Sequence, residues 1–359
     1  MEFIIGVSVL VFGAYAFIMF RYSKRVKFLA RRTHTESVTT PSVSVVVALK
    51  NEKTQVVDLI RSLSEICFDG DFEIILVDDH SSDDTYALLL DTIPIGFQVL
   101  KNNGIGKKQA IETGVKHASK AWVAVTDADC LMSKHWLTAL VGSRKTETKM
   151  VLGPVFIAHS NSDFLSLQKM EFLGLQGATA GSACMGSPIL ANGANMMFKR
   201  EVFLELNPYE DNYHLKTGDD QFLMLAIHSK YPGSCTYAFD KEAIVSTFPV
   251  ICFKKYWEQR VRWASKGSSY THADILYTGL IVFLTSCIVI GSVVYGLAMG
   301  SFGLTFGFLL IKIVVDYPLV KQMAKFSNAT INPVHFLISG FIYPLVVVFA
   351  VVAGFLKKP

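Results

Sequence analysis

Charge is absent from the eighteen positions 3–20, a run just long enough to cross the hydrocarbon core of a bilayer as a helix. It is absent again from the thirty-seven positions 275–311 and from positions 336–356. Thirty-seven residues exceed one span and predict two, turned around Gly300-Ser301-Phe302-Gly303, the second continuing to about Val320. That arm carries Lys312 and Asp316 four apart, on one helical face where they can pair. Pro344 predicts a kink in the last span.

Between the first and second apolar blocks the pattern changes to short β-branched runs separated by helical periodicity. Residues 41–49 (PSVSVVVAL) and 72–77 (FEIILV) read as strands buried on both faces, with a helix through Val56, Leu59, Ile60 and Leu63 between them. Ser81-Ser82-Asp83-Asp84-Thr85 supplies N-cap chemistry for the next helix. Residues 97–100 and 122–126 predict a third and a fourth strand, with a helix from Lys107 to about Ala118 before the fourth. Strands alternating with helices imply an open, largely parallel sheet that takes ligands at the carboxyl ends of its strands. Residues 163–176 (DFLSLQKMEFLGLQ) predict a helix, either in the core or lying on the bilayer.

The composition, 51% apolar over 359 residues, fits one soluble domain with a few membrane spans. The first run precedes rather than follows its positive charge (Arg21, Lys24, Arg25, Lys27, Arg31, Arg32) and lacks a small-residue cleavage site. It therefore predicts a retained anchor, residues 1–22, with the following domain in the cytosol, as in a bacterial inner-membrane protein. Three later spans would put Lys357 and Lys358 on the opposite side, against that tendency, so the C-terminal region 275–356 is read as about three segments. The net charge of +4 owes much to the juxtamembrane cations, which suit anionic lipid better than nucleic acid. The six cysteines form no CxxC pair, and the histidines show no metal-ligand spacing.

Acidic residues gather just past the predicted strand ends: Glu52, Asp78-Asp79 and Asp127-Ala128-Asp129, with Asp219-Asp220 later opening a helix. Carboxylates converging there repel one another and lose solvation unless a cation compensates, so a metal–nucleotide site is the economical reading. Helix capping by Asp78-Asp79 and by Asp219-Asp220 is the plainer alternative. Lys107 follows Gly104-Ile105-Gly106 at a helix start, a place that favours anions. Two carboxylates one residue apart at a strand end can face one Mg²⁺ or Mn²⁺, a hard cation that offsets charge on a departing diphosphate. Gln259, Arg262 and Trp263 fall on one face of a predicted helix beside the membrane, where Arg262 can reach a diphosphate and Trp263 can stack on a sugar.

A strand ending AxxNE, a second ending DDxSxD, a Gly-Lys helix start, DxD, a later Asp pair and QxxRW together resemble an inverting family 2 glycosyltransferase. The likeness covers roughly residues 41–270 and extends to membrane-bound members such as polysaccharide synthases and ceramide glucosyltransferases. It implies an α/β domain of the GT-A fold with a mostly parallel sheet, cytosolic over 41–270, joined to α-helical transmembrane segments. It also implies that Asp79 reads the uracil of a UDP-sugar, beside Asp78, with the backbone near Ala48 and the carboxylate of Glu52 lining base and ribose. Lys107 rather than Lys108 matches the Gly-Lys position, Asp129 binds the metal directly with Asp127 beside it, and Asn195 lines the donor sugar. Asp220 matches the family's base, although Asp219 stands where the family usually has Glu.

The resulting expectation is a membrane-embedded enzyme moving a sugar from a UDP-sugar to a lipid or lipid-linked hydroxyl. A processive polysaccharide synthase is the nearer alternative, and an inactive membrane scaffold or nucleotide sensor the more distant one. No nucleic-acid partner is expected.

Overall fold

The computed structural model describes residues 2–31, 39–158, 162–215, 217–270 and 272–356. Along the chain the elements begin α1 (Glu2–Leu29), β1 (Val43–Leu49), α2 (Val56–Ser64), β2 (Phe72–Asp78), α3 (Thr85–Thr92), β3 (Phe97–Lys101), α4 (Lys107–His117) and β4 (Trp122–Asp127). They continue with β5 (Cys130–Met132), α5 (Trp136–Gly142), β6 (Met150–Leu152), β7 (Val155–Ile157), α6 (Asp163–Cys184), β8 (Met196–Lys199), α7 (Arg200–Leu206) and α8 (Asp219–Lys230). The remainder is β9 (Cys235–Tyr237), β10 (Val245–Thr247), α9 (Phe253–Ala264), α10 (Ala273–Met299), α11 (Gly303–Phe326) and α12 (Pro333–Leu356).

The chain divides into two compact units, one of residues 31–158 and 182–248 and the other of residues 1–30, 159–181 and 249–359. The first is the sheet unit. Its seven-stranded sheet has the order β3-β2-β1-β4-β8-β6-β9, and a second sheet has the order β5-β10-β7. The β3-β2-β1-β4 half is parallel throughout, whereas β8 runs antiparallel to both β4 and β6. Val43, Val45, Val46 and Val47 of β1 are fully buried, as the continuous β-branched run predicts for a strand covered on both faces. The four long strands match the runs read from the sequence to within two residues. Strands β5 to β10, three or four residues each, had no legible signal because so short a segment shows no alternation.

The second unit is helical. α1, α10, α11 and α12 are each long and apolar enough to cross a membrane, so the three C-terminal segments are present as helices. Small residues allow close approach: a side chain at Gly177 would strike Leu319, and one at Gly181 would strike Tyr22. The Lys312–Asp316 pair forms at 2.5 Å, with the Tyr15 hydroxyl donating to Asp316 at 2.5 Å. Residues 162–181 and 249–270 group with these helices. In α6, Gln168, Met170, Phe172, Leu173 and Gln176 are buried within the chain, which is the behaviour of a core helix.

Candidate active site

Parallel register lines up the strand ends of the sheet unit. Ala48 stands level with Val77 and Asp127, Leu49 with Asp78, and Asp78 with Lys101. The loops leaving β1 and β2 then hold each other. The Asn51 N–H donates to Ser81 Oγ at 3.0 Å, and Asn51 Oδ1 accepts from the Ser82 N–H at 2.8 Å. Both loops turn through left-handed backbone, at Asn51 (φ 58°) and His80 (φ 55°). Such a conformation is uncommon outside glycine and persists where surrounding contacts enforce it.

Asp78 and Asp79 are both buried, at 3% exposure. Asp79 Oδ1 accepts from Asn102 Nδ2 and the Gly106 N–H at 2.7 Å each, while Oδ2 accepts from Lys50 Nζ at 3.0 Å. Burial pushes this carboxyl up, but the Asn102, Gly106 and Lys50 donors outweigh it and hold it below the usual range. Asp78 Oδ2 accepts from the Ser81 N–H at 3.2 Å, whereas Oδ1 has no hydrogen-bond partner among the described residues. Of the pair expected to meet a nucleotide base, Asp79 is therefore engaged by protein donors and Asp78 keeps a buried oxygen in reserve.

Lys107, the first residue of α4, follows Gly106 at φ 98°, a conformation that favours glycine. Its ammonium lies 2.6 Å from Asp127 Oδ1 and 3.4 Å from Asp219 Oδ2. Burial lowers the Lys107 pKa, and the charges of Asp127, Asp219 and Asp220 overcome it, so the group stays protonated well above the ordinary lysine range. A Cβ at Gly193 would come within 2.8 Å of Asp219 Oδ2 and 3.1 Å of Lys107 Nζ, so any larger residue there would push these side-chain ends aside. The Gly193 N–H donates to Asp220 Oδ2 at 3.3 Å. The next lysine points elsewhere: Lys108 donates to the carbonyls of Asn212 (2.7 Å) and Leu215 (3.0 Å), bracing the chain that leads into α8. DxD, Gly-Lys and the Asp pair thus converge in one place.

Burial, then the charges of Asp129, Asp127 and Asp83, push the Glu52 carboxyl up to about 7. Burial and Asp127 likewise raise Asp129. This carboxylate excess suits a hard divalent cation. Among the described residues no group of three or more His, Cys, Asp or Glu is disposed to hold one. Asp127 and Asp129 can supply two oxygens, which fits Mg²⁺ or Mn²⁺ taking its other ligands from phosphates and water.

Asn195, expected to line a donor sugar, is turned into the core instead, at 1% exposure. Its amide donates to the carbonyls of Pro154 and Ala243 at 2.8 Å each, and its Oδ1 accepts from Trp136 Nε1 at 3.0 Å. Both amide hydrogens are taken up by these carbonyls, so in this structure the side chain acts as a bracket. Gly153 leaves the space it fills.

Gln259, Arg262 and Trp263 lie on α9 in the helical unit. Arg262 is exposed, and its side chain has no hydrogen bond or ion pair among the described residues. Its neighbour Arg260 belongs to none of the motif positions. Arg260 is buried, lies 4.2 Å from the Tyr256 ring and 4.3 Å from the Trp263 ring, and donates to the Glu171 carboxylate. Gln259 Oε1 takes a third guanidinium hydrogen. Tyr256, Arg260 and Trp263, at i, i+4 and i+7, share a helical stripe, the one signal that would have singled out Arg260.

Residues 44–206 match the family model described as "Glycosyl transferase family 2". A poly-beta-1,6-N-acetyl-D-glucosamine synthase of Staphylococcus aureus is 21% identical over 276 residues, 73% of this chain and 63% of that protein. A probable glycosyltransferase of Bacillus subtilis is 24% identical over 247 residues, 64% of this chain and 56% of that protein. The chain thus matches less than two thirds of the length of either relative. A mannosyltransferase from Pyrobaculum calidifontis, solved in complex with GDP-Man and Mn²⁺, superposes with a TM-score of 0.60 at 15% identity, covering 98% of this chain and 97% of that one. At that identity the superposition speaks for the fold alone. Residues 44–206 thus carry a domain that matches family 2 glycosyltransferases, on a chain with the GT-A fold.

Proposed function

We propose that this enzyme moves a sugar from a nucleoside diphosphate sugar, a UDP-sugar in the first instance, to the hydroxyl of a lipid or lipid-linked acceptor at the cytosolic membrane face. The observation that carries this reading is the convergence of Asp127, Lys107 and Asp219-Asp220 within hydrogen-bond or ion-pair reach beside the ends of β1, β2 and β4. Asp78 and Asp79, with Glu52 and the backbone at Ala48, form the side for base and ribose. A divalent cation held by Asp129 and Asp127 would offset the charge that builds on the departing diphosphate. Asp220, fixed by the Gly193 and Gln221 N–H groups, takes the acceptor proton, and Asp219 keeps Lys107 in place. Inversion then needs one base and no covalent intermediate. Arg262 would supply a planar fork for diphosphate oxygens, with Gln259 and Trp263 toward the acceptor. Four membrane-length helices support an acceptor in the bilayer.

The similarity to a polysaccharide synthase favours a second reading, processive polymer synthesis. One assay separates the two. Detergent-solubilised enzyme is incubated with a panel of UDP- and GDP-sugars, Mn²⁺ and membrane lipid extract, and the product is weighed by mass spectrometry. One sugar on a lipid supports the main reading, a long polymer replaces it with the second, and hydrolysis alone removes both. Asp220→Asn should retain donor binding while transfer falls by roughly 10² to 10⁴. Asp129→Ala should abolish Mn²⁺-dependent nucleotide binding.

A further inference from the structure

Five carboxylates, those of Glu52, Asp127, Asp129, Asp219 and Asp220, surround the place where chemistry is proposed, and the ammonium of Lys107 is set among them. It sits 2.6 Å from Asp127 Oδ1 and 3.4 Å from Asp219 Oδ2, with the Gly193 backbone closing the third side. Asp219 Oδ2 is buried and accepts no hydrogen bond among the described residues, where this ammonium is its charged neighbour. Asp127 is also one of the two residues with an oxygen to offer a divalent cation. The ammonium and a metal ion thus compete for the same carboxylate, and each repels the other.

We propose that Lys107 is the resident counter-ion of the acidic cluster: its ammonium holds the Asp127 carboxylate that a divalent cation would take, and transfers to the diphosphate when metal and donor arrive together. The proposal rests on the reading of Asp127 and Asp129 as metal ligands. Its consequence is a coupling. Metal binds the empty protein poorly, because it must displace or face a fixed positive charge. The donor's phosphates draw that charge away and thereby make room for the metal. Lys107 is then a positioning residue in the free enzyme, keeping Asp127 and Asp219 apart from each other's repulsion, and a diphosphate ligand in the loaded one.

The test measures binding, not turnover, on the full detergent-solubilised chain. Mn²⁺ affinity without nucleotide is compared among wild type, Lys107→Met, Lys107→Arg and Asp129→Ala, and UDP and GDP affinities are then measured at saturating Mn²⁺. Lys107→Met should bind Mn²⁺ roughly tenfold more tightly than wild type, the scale of one like charge removed at close range. The same variant should bind the nucleoside diphosphates more weakly, whereas Lys107→Arg, which keeps the charge, should resemble wild type in Mn²⁺ affinity. Opposite movement of the two affinities is not what a merely damaged fold produces. Mn²⁺ affinity unchanged or weakened in Lys107→Met, with Asp129→Ala still abolishing it, overturns the proposal and leaves the metal site standing. Undiminished Mn²⁺ binding by Asp129→Ala removes the metal site itself and the proposal with it.

Discussion

Arg260 grips Glu171 with two hydrogen bonds of 2.6 Å, Nε to Oε1 and Nη2 to Oε2, and both side chains are under 8% exposed. The Tyr256 hydroxyl adds a third donor to the same carboxylate at 3.0 Å. This contact fixes the rotation of α9 against α6. Arg262, two residues on and about 200° around the helix, is turned outward as a result.

The two arginines should therefore behave in opposite ways. Arg260→Ala strands a buried carboxylate and should cost about 3–5 kcal/mol, read as a lowered unfolding midpoint in detergent. Arg262→Lys should unfold like wild type, within about 0.5 kcal/mol. If Arg262 forks onto the diphosphate, the Lys variant loses most transfer, since a point charge cannot make two parallel bonds. Near-full activity would return Arg262 to an interfacial role.

Gly193→Ala places a methyl 2.8 Å from Asp219 Oδ2 and 3.1 Å from Lys107 Nζ. Those side-chain ends must shift, so transfer should fall about tenfold or more while the unfolding midpoint changes little. An unaltered rate would show that the Lys107–Asp219 geometry does not matter to turnover.

Asn195→Ala removes three buried hydrogen bonds and leaves Trp136 Nε1 and the carbonyls of Pro154 and Ala243 without that partner. The Pro154 carbonyl keeps its bond from the Val245 N–H, so a loss of about 2 kcal/mol or more is expected, at 1–3 kcal/mol for each of the two stranded groups. Donor KM in the folded fraction should stay at the wild-type value. A raised KM with normal stability would reinstate Asn195 as a donor ligand.

Glu73 gives a pH-dependent test remote from the site. Burial raises its carboxyl, but donors from Ser44 and Ser119 and the charge of Lys120 outweigh that and lower it. A depressed folded pKa stabilises the protein above the unfolded value, about 4.3, and the contribution is lost as pH falls through the folded pKa. Wild type should therefore exceed Glu73→Gln in unfolding midpoint at pH 7, and the gap should narrow below about pH 4. A gap that is constant with pH would rule out this linkage.

Much of the fold was legible along the chain. Span-length uncharged runs, and β-branched segments buried on both faces, have no other stable place to go, so α1, α10 to α12 and β1 to β4 follow from composition and period. The acidic residues were legible too, because carboxylates just past parallel strands are costly without a ligand to justify them. What the sequence could not decide was direction. Gly193-Ala194-Asn195 reads equally well as a ligand loop or a turn, and only the packing of Trp136, Pro154 and Ala243 around it gives the Asn195 amide its inward partners. Within Gln259-Arg260-Val261-Arg262-Trp263 both arginines are plausible on charge alone. Which one is buried depends on Glu171, eighty-nine positions away, meeting one stripe of α9. Likewise Lys107 and Lys108 are adjacent and alike, yet the first faces Asp127 and the second braces carbonyls of Asn212 and Leu215. Period and polarity are local properties of a chain, whereas the partner that satisfies a buried charge is found only when distant segments pack.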